Sequence, residues 1–165
     1  MDDGDLIDRM ITDWREQLPG LDPSPLAVVG RVIVLARHLE RSVGEALAAH
    51  SLSLGEFDIL ATLRRHGPKG GLTPGQLLGS VMLSSGGMTA RLDKLETAGL
   101  IERQQDPTDR RGVVVKLTAK GRETIETAAA TRFAEAERSM PPLSARESKT
   151  LANLLRKWLL QFPAA

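Results

Sequence analysis

A chain of 165 residues is one domain, or one compact unit with helical extensions, and can hide roughly 70% of the surface its unfolded form exposes. Hydrophobic residues make up 41% and charged ones 26%, but aromatics only 3% with no Tyr, so the core must rest on Leu, Val, Ile and Ala, a composition that favours helices. Cysteine is absent, which excludes disulfides, thiolate catalysis, cysteine-ligated zinc and cysteine-based redox sensing.

No window reaches the length of a membrane span and the first ten residues are acidic, so the expected location is the cytoplasm. The net charge is +1, but its distribution carries more than its sum. Residues 84–122 hold eight Lys/Arg against five Asp/Glu, a local +3 that a dimer would present twice.

Taken in chain order, Leu6, Ile7, Met10, Ile11, Trp14 and Leu18 have helical spacing that stops at Pro19-Gly20. Ser24-Pro25 predicts an N-cap followed by proline at the first position of a long helix over 25–49. That helix is apolar on more than one face, so it should meet more than one neighbour. Three pairs have capping-box spacing, Ser53 with Glu56, Thr73 with Gln76 and Ser144 with Glu147, and place helix starts near 54, 74 and 145. Within 84–99, Met88, Leu92 and Leu95 form an inward stripe, Ser84 or Ser85 caps the start, and Gly99 sits where a left-handed terminator belongs. Leu100–Gln104 and Val113–Leu117 read as strands with a turn-rich tip over 106–112. A second long helix follows Gly121 and breaks at Pro141-Pro142. The last carries Leu151, Leu154, Leu155, Trp158, Leu159 and Phe162 on one face.

A hairpin directly after a helix-turn-helix is a winged helix. The fold class is therefore mainly α with a small β-hairpin wing and helical dimerisation extensions. The expected division is 1–22 as an N-terminal helical extension, 23–50 as a scaffold helix, 51–122 as the winged helix-turn-helix, and 123–165 as C-terminal dimerisation helices.

On the 84–98 helix, Ser84, Ser85, Thr89, Ala90 and Arg91 occupy the outward face near the start. Small residues let such a helix lie deep in a major groove, where hydroxyls and Arg reach base edges and phosphates. The plainer alternative is an amphipathic surface helix that happens to hold Gly86 and Gly87. At the hairpin tip, Arg110 and Arg111 could enter a minor groove with Asp109 orienting Arg111, although charged tips are usually only solvated.

The stretch LSSGGMTARLDKLETAGLIERQQDPTDRRGVVVKLTAKG (83–121) resembles the core of the MarR family. It has the recognition helix, Leu-Glu-x-x-Gly-Leu, the Asp-x-x-Asp-Arg-Arg wing and the closing Leu-Thr-x-x-Gly. The resemblance implies a bacterial, nucleoid-associated homodimer, each winged helix reading half of a pseudo-palindromic operator in double-stranded DNA. The expected DNA-facing set is Thr73, Ser84, Ser85, Gly86, Thr89, Ala90, Lys94, Asp109, Arg110 and Arg111.

EFDILATLRRHG (56–67), the SSGGMTARLDKLETAGL stretch and a Trp-bearing N-terminal helix are similar to the urate-responsive branch of that family, with a departure at Ala90. That similarity implies a ligand set of Trp14, Asp58, Arg91 and Arg103. An indole to pack on, arginines for the charge and a carboxylate for an N–H suit an anionic purine. Each residue also has an ordinary reading. Trp14 could staple a helix, Asp58 could face a helix dipole, Arg91 could hold a phosphate, and Arg103 could pair with a carboxylate. Replacing Arg103 should then blunt ligand release while sparing DNA affinity.

His38, His50 and His66 have no metal-binding spacing, and no catalytic motif is present, so neither metal, cofactor nor enzyme activity is expected beyond an effector such as urate or a related aromatic anion. The alternatives are a winged-helix interaction module without a small-molecule ligand, and a MarR-type regulator of phenolic or antibiotic response.

Overall fold

The computed structural model describes residues 4–66, 71–81, 87–106 and 112–162. Its elements are α1 (Leu6–Gln17), α2 (Leu26–Ala48), α3 (Leu54–Arg65), α4 (Pro74–Leu78), α5 (Met88–Thr97), β1 (Ile101–Gln105), β2 (Val113–Leu117), α6 (Ala119–Ser139) and α7 (Ala145–Leu159). The chain divides into two compact units between Ser42 and Val43.

In the N-terminal unit, Asp5 caps α1 by accepting from the Ile7 and Asp8 N–H groups at 2.8 and 3.0 Å, and Asp8 accepts back from Asp5 N–H. Arg31 of α2 holds both carboxylates, at 2.8 Å from Asp5 and 2.7 Å from Asp8. Ile7 and Ile11 are buried, with Ile7 lying over Gly30. Ser24 does not cap α2. Its hydroxyl donates to Asp22 at 2.8 Å, because the Asp22 carboxylate is the stronger local acceptor, and the first turn is closed by backbone bonds to Ser24 and Pro25 carbonyls.

In the second unit all three expected capping boxes form, at Ser53/Glu56, Thr73/Gln76 and Ser144/Glu147. The core gathers Leu47 from α2, Ile59, Leu60 and Leu63 from α3, Leu77 from α4, Leu92 and Leu95 from α5, Ile101 and Val115 from the hairpin, and Ile125 from α6. The hairpin is antiparallel, with Ile101 opposite Leu117 and Gln105 opposite Val113. Leu72 adds a third backbone pairing by exchanging two hydrogen bonds with Val115, at 3.1 and 2.8 Å. A single bridge residue has no period, so sequence pattern could not reveal it.

The turn from α5 into the hairpin and on to α6 is built by glycine at two positions. Gly99 has φ +71°, and the bonds Gly99 N–H to Glu96 O and Leu100 N–H to Leu95 O close α5 in a Schellman motif. Thr118 then caps α6 by accepting from Gly121 N–H and donates its hydroxyl to the Gly99 carbonyl at 2.7 Å. Helix α6 consequently starts at Ala119, before Gly121 rather than after it as the sequence pattern suggests. A Cβ at Gly121 would overlap the Leu100 carbonyl oxygen, so only glycine lets α6 seat on this turn. Gly121→Ala should destabilise the protein by about 2–3 kcal/mol, since backbone rather than a flexible side chain must move. Urea unfolding at fixed protein concentration measures this, and an unchanged midpoint would refute the close approach.

Candidate nucleic-acid interface

Helices α4 and α5 are joined by a segment that includes 82–86, so the expected contacts Ser84, Ser85 and Gly86, like the tip residues Asp109, Arg110 and Arg111, lie outside the described residues. What is described is the frame that holds them. Met88, Leu92 and Leu95 face inward, at 9, 2 and 1% exposure. That orientation leaves Thr89, Ala90, Asp93 and Lys94 exposed on α5. Helix α5 begins at Gly87, in a left-handed conformation (φ +85°) with no side-chain cap. The Arg91 guanidinium folds back toward that start, and a Cβ at Gly87 would lie 3.3 Å from its Nη1. Thr73, half-buried, caps α4 by accepting from Gln76 N–H at 3.2 Å.

Three charged side chains of α5 are tied to neighbouring elements. Lys94 Nζ lies 2.7 Å from Glu56 Oε1 on α3. Arg103, on β1, reaches Asp93 through Nη2 and Glu96 through Nη1, both at 2.6 Å, and its backbone N–H donates to Glu96 at 3.1 Å. The Asp93 hydrogen bond and both carboxylate charges hold the Arg103 guanidinium above its usual pKa, against a smaller loss from burial. The wing is thereby clasped to the recognition helix.

Glu56, like Asp93 and Glu96, is a member of this network that sequence reasoning missed. Its capping-box role accounted for it fully, so nothing signalled a second one. Its side chain is only 4% exposed, and Oε2 accepts from Ser53 N–H at 2.8 Å while Oε1 meets Lys94. Burial pushes its carboxyl pKa up, but Lys94 and the two Ser53 hydrogen bonds more than offset that, and the net shift is downward. A lowered folded-state value means that the stabilisation is present above the unfolded value near 4.5 and is lost as pH falls through the folded one. The thermal midpoint should therefore hold from neutrality toward pH ~5 and decline below it. Glu56→Gln, which keeps the cap but not the charge, should flatten that acid limb. An identical limb in the variant would remove Glu56 from the account.

Of the expected ligand set, Asp58 is buried on α3 at 3% exposure, Arg91 is half-buried on α5, and Arg103 makes the clasp just described. Trp14 belongs to the N-terminal unit. It is 47% exposed and lines an apolar hollow of about 380 Å³ with Leu18, Leu21, Pro23, Pro25 and Leu26. Among the described residues no three His, Cys, Asp or Glu side chains gather as a metal site, and no helix is long and apolar enough to cross a membrane.

The sequence profile of the MarR family matches residues 52–113. The chain is 32% identical over 149 residues to the HTH-type transcriptional regulator PecS of Dickeya dadantii (strain 3937), covering 90% of each. It is 30% identical over 133 residues to the multiple antibiotic resistance protein MarR of Escherichia coli (strain K12), covering 79% of this chain and 90% of that one. Among solved structures, a mutant MarR from E. coli complexed with operator DNA matches with a TM-score of 0.70 at 28% identity, covering 94% of this chain and 99% of that one.

Proposed function

The chain belongs to the MarR family of DNA-binding transcription regulators, and from that premise we propose that its homodimer represses from a pseudo-palindromic operator and is released by a small anionic aromatic effector of the urate class. It is a regulator and not an enzyme. It acts on the nucleoid in the bacterial cytoplasm, with duplex DNA, a second copy and the effector as its partners.

The observation that carries the DNA reading is the braced recognition helix. Its inward stripe is buried, its outward start presents Thr89 and Ala90, and ion pairs fasten it to both α3 and the wing. Such a helix meets a groove with little ordering left to complete. The related MarR protein solved with operator DNA supports the same reading. The effector reading is supported by the likeness to PecS across 90% of the chain together with Trp14, Asp58, Arg91 and Arg103 at the positions named.

The test begins with selection of bound sites from random duplexes, which should recover an inverted repeat. In gel-shift titrations on that repeat, Arg111→Ala should weaken binding and lower the salt slope by about one unit, as loss of one phosphate-region cation does. Thr89→Ala should instead relax base preference. No enriched repeat, or an Arg111 variant with affinity and slope unchanged, would turn the reading toward a protein-binding module.

A further inference from the structure

A second polar site lies at the root of the wing. A hollow of about 240 Å³ is lined by Leu63 and His66 at the end of α3, Gly71 and Leu72, Glu102 and Gln104 of β1, Lys116 and Leu117 of β2, and Arg122 of α6. Side chains alternate faces along a strand, so Glu102 and Gln104 point away from the face on which Arg103 grips α5. The hollow is therefore distinct from the Asp58, Arg91 and Arg103 set.

The chemistry of its walls is specific. Glu102 and Lys116 stand opposite one another in the ladder, yet the Glu102 carboxylate accepts from Gln104 Nε2 at 2.7 Å. Among the described residues, neither Lys116 nor Arg122 has an ion pair, so two cationic heads border the hollow uncompensated. His66 Nδ1 lies 2.8 Å from the Thr62 carbonyl oxygen, so that nitrogen carries the hydrogen and Nε2 is the one left for a ligand. Leu63, Leu72 and Leu117 supply the apolar part of the lining. The missing side chain of Gly71 (φ +82°) keeps the Lys116 stem close to the backbone, since a Cβ there would lie 2.8 Å from Lys116 Cγ.

From this we infer that the wing root is a binding site for a small planar monoanion, a carboxylate on a single aromatic ring. Among the described residues, two cations against one carboxylate leave room for one negative charge, and Glu102 opposes a second. Leucine side chains favour a ring over a bare oxoanion. The volume is below the roughly 300 Å³ at which pockets for larger ligands begin, so one ring is the fit. An occupant would touch α3, both wing strands and the first turn of α6 at once, without contacting the recognition helix.

The test is a titration of the full-length, isotopically labelled protein with benzoate and, separately, with inorganic phosphate, followed by NMR. Benzoate should shift the Leu72 and Leu117 amides and the His66 ring signal in a saturable way. The pair Lys116→Gln with Arg122→Gln should weaken it by about tenfold, as loss of charge-assisted contacts predicts, while Lys149→Gln, the loss of an exposed cation on α7, should leave it unchanged. Phosphate binding as well as benzoate would overturn the aromatic assignment. Shifts at Trp14 and Arg103 in place of the wing root, or none at millimolar benzoate, would overturn the site. No DNA is involved, so failure here is distinguishable from failure of the operator reading.

Discussion

Leu155→Glu should leave the protein monomeric at micromolar concentration, where the unaltered chain should sediment as a dimer. Helix α7 is capped at its start by Ser144 and Glu147, yet none of its 15 residues is buried within one chain. Leu151, Leu154, Leu155, Leu159 and, just beyond, Phe162 are between 41 and 71% exposed. A helix of that length is marginal in water unless an apolar face is packed, so its persistence calls for a partner surface. On α6, Phe133 is 71% exposed, and on α2 the side chains of Val28, Ile33 and Leu35 are likewise open. A second copy supplies the covering most simply, because a two-fold interface presents the same stripe twice. That symmetry also doubles the damage. Each dimer would lose two leucine burials of about 1.5–3 kcal/mol and gain two unpaired buried carboxylates. Far-UV dichroism should show some helix lost with the dimer. A dimeric Leu155→Glu variant, or a monomeric parent chain, would refute this assignment of α7.

The same physics explains which parts of the molecule were legible in the sequence. Helix starts were, because a capping box is a local exchange between residues three apart, and Ser53, Thr73 and Ser144 all make it. The inward stripe of α5 and its glycine terminator were legible for the same reason. Ser24 misled because its hydroxyl donates to the Asp22 carboxylate while the first N–H groups of α2 bond backbone carbonyls, an alternative that a spacing rule does not rank. The ties at the candidate interface were not legible. Glu56 with Lys94 joins residues 38 positions apart, and the Leu72 bridge joins residues 43 apart. Asp93 and Glu96 did carry a signal, since spacing of three puts both carboxylates on one face of α5, but nothing local says that Arg103 will cross to them.

That clasp reverses one expectation for the ligand set. Removing Arg103 would be neutral for DNA only if its guanidinium waited for an effector, whereas here it already neutralises Asp93 and Glu96 on the recognition helix. Asp93 lies one turn beyond Thr89 and three residues beyond Ala90, so it shares the face proposed for the groove. An anionic effector that draws Arg103 away would bare two carboxylates toward phosphates and loosen the wing in the same step. The effector then shifts the equilibrium because it binds the unclasped state better, which is the only way a ligand can. Arg103→Ala should mimic the effector: operator affinity should fall by about tenfold or more at low salt, and urate should release little further. Adding Asp93→Asn and Glu96→Gln to Arg103→Ala should restore much of the affinity by removing the repulsion, while leaving the protein blind to urate. Fluorescence anisotropy on a labelled operator, with and without urate, separates these cases. If Arg103→Ala bound DNA like the parent chain and still released with urate, the clasp would be a bystander. If the parent chain ignored every oxidised purine at millimolar concentration while the variant lost affinity, the clasp would stand as a structural brace and the urate class of effector would fall.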